Sequence, residues 1–345
     1  MENKLKIDQD KLILAVQQGY GVDLKKVEFL LRGWGGDCYQ AEIENGERYF
    51  LKLHDEANYM GIAATSRPFY LPLMHQLHHK NILPHIPHPV LTCKGAFSLP
   101  IDHHELVITN FIEGQVVGFG KLPEPILGQL AKMVGILHHS RSQLECRYPF
   151  IEQFEIGFEM DLVNSFDTVE SISSDDRPGK QLLRQTLLPH KDEVLANLHQ
   201  LKELQTSVRL IDKPKVICHT DLHGANLITD NRNNLYILDW ENALIAPMEH
   251  DMIFFAGEEN FWEIFWPNYT RQFSEPRINS EILRFYFYRR TLEDIAGFVL
   301  RILQGEGSPE RDREDIGWLR GCLGEFDQIE NTISNIRERF GSQLP

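Results

Sequence analysis

Four residues past the middle of the chain have types and spacing suited to moving a phosphoryl group onto a hydroxyl. In KVICHTDLHGANLITDNRNNLYILDW, His219, Asp221 and Asn226 fall at H-x-D-x-x-x-x-N, and Asp239 ends the apolar run that follows. The reaction needs a carboxylate to orient the attacking hydroxyl and accept its proton, and Asp221 suits that work. It also needs hard oxygen ligands for a Mg²⁺ that bridges the phosphates. Asn226 offers a side-chain carbonyl and Asp239 a carboxylate. Asp and Asn at strand ends also make local turns, and a single Asp would be read that way. The joint spacing inside a strand–loop–strand favours chemistry.

The elements that would position these groups can be read from pattern. KVIC, LIT and LYIL are short apolar strands, and polar residues at the ends of such strands are held rigidly and open to a cleft. Upstream, residues 27–53 read as strand, glycine-rich turn, strand, an Asn45-Gly46 hairpin and a third strand. Lys52 sits in that third strand, YFLKL, beyond the turn Gly33-Trp34-Gly35-Gly36-Asp37. A lysine there either snorkels at an edge or holds α- and β-phosphates, and its place after the glycine-rich turn favours the phosphates. A helix is predicted around Tyr70 to His79, then chain punctuated by Pro84, Pro87 and Pro89, then two strands, GAFSLPI and HELVITNFI. After Glu113-Gly114 the period changes. Leu127, Leu130, Ala131, Val134 and Leu137 mark a buried helix, with further helices over 150–210 and 281–340. The pattern predicts an α+β chain: a small antiparallel β-rich lobe, a linker near 109–114 and a larger helical lobe carrying one hairpin.

The chain has 345 residues and a formal net charge of −15, with 42% hydrophobic and 25% charged residues. So acidic a surface repels polyanions, which argues against nucleic acid or an anionic membrane as partner and mildly favours a cationic small molecule. No run approaches the 18 or so apolar residues of a membrane-crossing helix. The start, MENKLKIDQDKLILAVQQGY, reads as an amphipathic helix and not as a signal peptide. Cys38, Cys93, Cys146, Cys218 and Cys322 are scattered, as expected of free thiols in a reducing cytoplasm. His75, His78, His79, His85 and His88 cluster without a zinc spacing and read as packing and surface histidines.

ICHTDLHGANLI followed by ILDWENALIAPMEHDM resembles the motifs of the aminoglycoside phosphotransferase and choline kinase superfamily, small-molecule kinases of protein-kinase-like fold. Within it the chain is most similar to the spectinomycin phosphotransferase branch, through the hairpin, the YRRTLEDIAG stretch and the general layout. The resemblance implies a bilobal fold: residues 1–108 as nucleotide-binding lobe, 109–114 as hinge, and 115–345 as the helical lobe with catalytic loop and acceptor site. It implies Asp221 as catalytic base, Asn226 and Asp239 as Mg²⁺ ligands, and Lys52 as the phosphate-binding lysine beside Gly35 and Gly36. Backbone groups of Asn110 and Ile112 in ITNFIEG would bind the purine of ATP, with GTP as the alternative. His219 and Asp251 would support the loop, and Glu241 would either bind metal or support it. The pattern departs at one point. The family pairs its strand lysine with a glutamate on the next helix, and RPFYLPLMHQL has none; Glu56 is the substitute the sequence offers.

For the acceptor, Glu258, Glu259, Glu263, Glu293 and Asp294 are candidate partners of an ammonium group. Phe254, Phe255, Phe261, Trp262, Phe265 and Trp266 would either wall an acceptor ring or form core. The expectation is an ATP-dependent phosphotransferase, cytoplasmic, monomeric or weakly dimeric. Its acceptor would be a hydroxyl of an aminoglycoside- or aminocyclitol-type antibiotic, which would make it a resistance enzyme. A choline, sugar or amino-alcohol kinase and a catalytically weak ligand-binding protein of this fold are the alternatives.

Overall fold

The computed structural model describes residues 7–33, 36–55, 62–145, 147, 149–272, 276–305 and 308–340. In chain order the elements begin α1 (Gln9–Tyr20), β1 (Leu24–Gly33), β2 (Gly36–Ile43), β3 (Arg48–Asp55), α2 (Ile62–His79), β4 (Leu99–Ile101), β5 (His104–Asn110) and β6 (Gln115–Val116). They continue with α3 (Glu124–His139), α4 (Glu159–Glu170), α5 (Pro178–Leu187), α6 (Lys191–Val208), β7 (Lys215–Cys218), β8 (Leu227–Thr229), β9 (Leu235–Ile237) and β10 (Leu244–Pro247). Helices α7 (Glu249–Met252), α8 (Trp266–Tyr269), α9 (Ser280–Gln304), α10 (Pro309–Leu323) and α11 (Phe326–Phe340) complete the chain. The antiparallel sheet is N-terminal and the C-terminal part is helix-rich, as the sequence pattern predicts. Two compact units divide the chain: Met1–Ile151 with Val216–Ala246 and Trp262–Ser274, and Glu152–Lys215 with Pro247–Phe261 and Glu275–Pro345.

In the first unit, the sheet runs β1-β2-β3-β5-β4, antiparallel throughout. Strand alternation sorts its two faces. Tyr39, Leu51 and Ile108 form one cross-strand row, all buried, against the Leu12–Val16–Tyr20 stripe of α1. One residue along, the row Cys38, Lys52, Val107 lies on the other face, so Lys52 is turned away from that core. Gly36 opens β2 where a Cβ would stand 1.9 Å from the Leu53 carbonyl oxygen, so the start of β2 approaches β3 this closely only with glycine there.

Helix α2 begins at Ile62, well before Tyr70. Pro68 and Pro72 lie inside it and hide the upstream turns from periodicity, since a proline removes an internal hydrogen bond. Its C-terminal end carries the histidine cluster. His75 stacks on His79 with ring centroids 4.0 Å apart, and His78 on His88 at 3.8 Å. Burial and then the neighbouring imidazoles lower His88 from 6.5 to about 4. The unfolded chain therefore binds a proton below pH 6.5 that the folded chain refuses until about 4, and the stability from neutral His88 is lost over that window as pH falls. His88→Phe, which keeps the stack, is expected to reduce the fall in melting temperature between about pH 7 and about pH 5. Parallel melting curves for variant and parent would overturn that assignment.

The rest of the first unit holds the three-stranded sheet β6-β8-β9, the pair β10-β7, and α3, which buries the five predicted apolar residues and packs on α8. In the second unit, α9 is the central helix, with α4, α5, α6, α7, α10 and α11 packed on it. Asn279 caps it by accepting from the N–H groups of Glu281 and Ile282. Of the aromatics named above, Phe255, Phe261 and Phe265 are core, while Phe254, Trp262 and Trp266 are half-buried. No described helix is long and apolar enough to cross a membrane. Cys38, Cys93, Cys218 and Cys322 are free thiols.

Candidate active site

The loop between β7 and β8 is held by a network that fixes each polar group. The Asp221 N–H donates to His219 Nδ1 (3.2 Å), and His219 Nε2 donates to the Leu238 carbonyl (2.7 Å). His219 is fully buried, with its ring edge-on to Trp240 at 4.8 Å. It thereby ties the loop to the end of the β9 run. Asn226 Nδ2 donates both to the Asp221 carbonyl and to Asp221 Oδ2, each at 2.9 Å. With the amide nitrogen turned to Asp221, the Asn226 carbonyl oxygen is the atom left to face a cation. Leu238 N–H donates to the Asn226 backbone carbonyl (2.8 Å), which sets Asn226 beside the start of the Asp239-Trp240-Glu241 segment.

Two non-glycine residues here adopt left-handed backbone, Thr220 at φ 75° and Asp239 at φ 56°. For a β-branched residue this costs about 1–3 kcal/mol, and such strain persists only where its surroundings over-determine it. Thr220 Oγ1 donates to the Asn242 carbonyl (3.1 Å), which supplies part of that restraint. Gly224 is needed for a different reason. A Cβ on it would stand 2.0 Å from the Gly118 carbonyl oxygen, and the Gly118 N–H donates to the Gly224 carbonyl (3.0 Å). Gly224→Ala must push the loop off that contact. It is expected to lower phosphoryl transfer by up to about 10²-fold with unchanged circular dichroism; an unchanged rate would show that the loop tolerates the shift.

Trp240 points inward, only 1% exposed, and its Nε1–H donates to the Ile237 carbonyl (2.9 Å). The carboxylates on either side of it reach Lys52. Lys52 Nζ lies 2.5 Å from Glu241 Oε1 and 3.7 Å from Asp239 Oδ1. Burial works against the ammonium, but Asp239 and Glu241 hold it well above its ordinary value, so Lys52 is charged at working pH. Burial also raises the Glu241 carboxyl above the usual range, with Lys52 pulling against the rise. His223 Nε2 stands 3.4 Å from Asp221 Oδ2, under the exposed ring of Phe119 at 5.1 Å. Sequence reading passed over both, although His223 lies inside the motif.

The remaining predicted groups are placed as follows. Gly35 and Glu56 lie outside the described residues. Asn110 ends β5, its N–H donating to the His88 carbonyl (3.3 Å) and its Oδ1 accepting from the His88 N–H (2.8 Å). Ile112 follows in a segment braced to β3, where Arg48 pairs with Glu113 and stacks on Phe111 at 4.9 Å. Asp251 is fully buried in α7 of the second unit. Glu263 is exposed in the first unit, while Glu258, Glu259, Glu293 and Asp294 belong to the second. Asp294 pairs with Arg290 at 2.9 Å. Glu293 is exposed.

The donor set of Asn226 and Asp239, one carbonyl and one carboxylate oxygen, fits a hard divalent cation such as Mg²⁺. A fixed lysine beside them fits the phosphates such a cation would accompany.

Solved structures share this arrangement of elements. Spectinomycin phosphotransferase, crystallised with ADP and spectinomycin, superposes with a TM-score of 0.72 at 20% identity over 97% of this chain and 100% of that one. An aminoglycoside phosphotransferase from Alicyclobacillus acidocaldarius gives 0.61 at 14% identity, covering 98% of each chain. Choline kinase from Streptococcus pneumoniae gives 0.52 at 14%, over 92% of this chain and 99% of that one. These likenesses establish the protein-kinase-like fold. No curated protein sequence matches the chain. The sequence model of the phosphotransferase enzyme family matches residues 26–293, across both β3 and the β7–β8 loop, and the chain belongs to that family.

Proposed function

We propose that this phosphotransferase moves the γ-phosphate of ATP to a hydroxyl of a small, amine-bearing molecule of the aminocyclitol or aminoglycoside type. The observation that carries the reading is the bonded set Asp221–Asn226–Leu238 with Lys52 held at Asp239 and Glu241. Asp221 orients the acceptor hydroxyl and takes its proton, and the hydrogen bond from Asn226 keeps that carboxylate in place. Asn226 and Asp239 would hold Mg²⁺, which when bound would supply charge neutralisation to the phosphates. Lys52 contacts the α- and β-phosphates. The Asn110 carbonyl and the Ile112 N–H serve the purine, because the Asn110 N–H is already bonded to His88.

The net charge of −15 supports a cationic acceptor. The likeness to a spectinomycin-binding relative supports an aminocyclitol.

The test is ADP release by purified protein with ATP and Mg²⁺ against spectinomycin, other aminoglycosides, choline and simple sugars. Turnover is expected with an amine-bearing polyol. Turnover with choline alone or a neutral sugar alone would overturn the acceptor class, and tight ATP binding without turnover on any acceptor would overturn the transfer reading.

A further inference from the structure

A phosphate-binding lysine on a flexible four-carbon stem needs a fixed carboxylate to aim it. In protein kinases a glutamate on the helix after the lysine strand does this. Helix α2 has no aspartate or glutamate at any position of IAATSRPFYLPLMHQLHH. It brings a cation and a phenol to the same face of the sheet. Arg67 lies 4.0 Å from Glu105, whose register partner on β3 is His54, two residues along from Lys52. Tyr70 is buried, and burial first, then Glu241, raises its hydroxyl well above the ordinary value, which places that carboxylate's field on α2.

The carboxylate that meets Lys52 comes instead from the segment after β9. Glu241 Oε1 lies 2.5 Å from Lys52 Nζ and 3.7 Å from His54 Nε2, with Glu241 only 7% exposed. Burying such an ion costs several kcal/mol unless it is paired, so the contact is a built one. Trp240, locked in the core, turns its two neighbours the other way, towards β3.

We propose that Glu241, and no residue of α2, is the positioning residue that aims Lys52 at the nucleotide phosphates. Asp239 would serve a metal and Glu241 fixes the lysine, so one Asp-Trp-Glu segment supplies both carboxylates. The inference rests on the phosphate role given to Lys52 above.

Binding of ADP without metal, in EDTA, by titration calorimetry separates this role from metal ligation. Glu241→Gln and Lys52→Met are each expected to weaken metal-free ADP about tenfold, and the double variant to be no weaker than either single one, because both remove one interaction. Should Glu241→Gln fail to fold, Glu241→Asp, with the charge one methylene short, is expected to show a partial loss in the same titration. If Glu241 variants keep parental metal-free affinity while Lys52→Met loses it, the inference is overturned and the phosphate role stands. Additive losses would overturn it as well. If Lys52→Met binds metal-free ADP as the parent does, the phosphate role and the inference fall together.

Discussion

Asp221→Ala is expected to lower phosphoryl transfer by about 10³- to 10⁴-fold while leaving ADP affinity within about twofold of the parent. The asymmetry follows from the network. Asp221 bonds to Asn226 and, through its N–H, to His219, and none of the groups assigned to the purine or the phosphates depends on its carboxylate. Without Oδ2 the Asn226 amide loses one acceptor but keeps the Asp221 backbone carbonyl at 2.9 Å, so the Asn226 side-chain oxygen stays near its place. Single-turnover transfer, once an acceptor is in hand, together with ADP titration reads both halves. A variant that retained the parental rate would remove Asp221 from the role of base. A variant that lost transfer and ADP binding together would mean that the carboxylate holds the loop and not the proton.

Arg289→Ala is expected to cost about 3–5 kcal/mol of stability, or a melting temperature lower by roughly 5 °C. Glu152 is buried, and the Arg289 guanidinium grips both its oxygens, at 3.1 and 2.9 Å, while the Phe154 N–H donates to it at 2.6 Å. Burial opposes the charge, but Arg289 and then His250 bring the carboxyl down to about 2. Its stabilising contribution is therefore present above the ordinary 4.5 and lost as pH falls through about 2. Removing Arg289 leaves the carboxylate buried without its fork, so it takes up a proton at higher pH. The gap in stability between parent and variant should then narrow as pH drops below about 4.5. A gap independent of pH would assign the loss to the stacking of the Arg289 guanidinium on Tyr286 and Phe285 and not to its pairing with Glu152.

Residues that lie close together in sequence were legible before the structure. The H-x-D-x-x-x-x-N spacing places Asp221 and Asn226 in one loop because a strand end and a short turn fix their separation, and the structure bonds them directly. The β-hairpin at Asn45-Gly46 and the apolar stripe of α3 were readable for the same local reason. Pairings across long stretches of chain were not. Sequence offers Glu56 for Lys52, a residue outside the described part of the chain, and gives no signal that Glu241, nearly 190 positions on in the turn after β9, meets the lysine. Glu152 and Arg289 are ordinary charges in a sequence with many, and only tertiary packing makes them a buried pair. Helix α2 was half-seen because its prolines imitate a boundary.

The absence of acid from α2 also bears on control. Kinases are commonly silenced by swinging the helix that follows the lysine strand, because its glutamate leaves the lysine as it goes. Here the helix has no such glutamate to withdraw. If Glu241 holds Lys52 as proposed, a wedge beneath α2 would have no glutamate of that helix to pull away, and an inhibitor would do better to compete for the lysine's proposed phosphate contact.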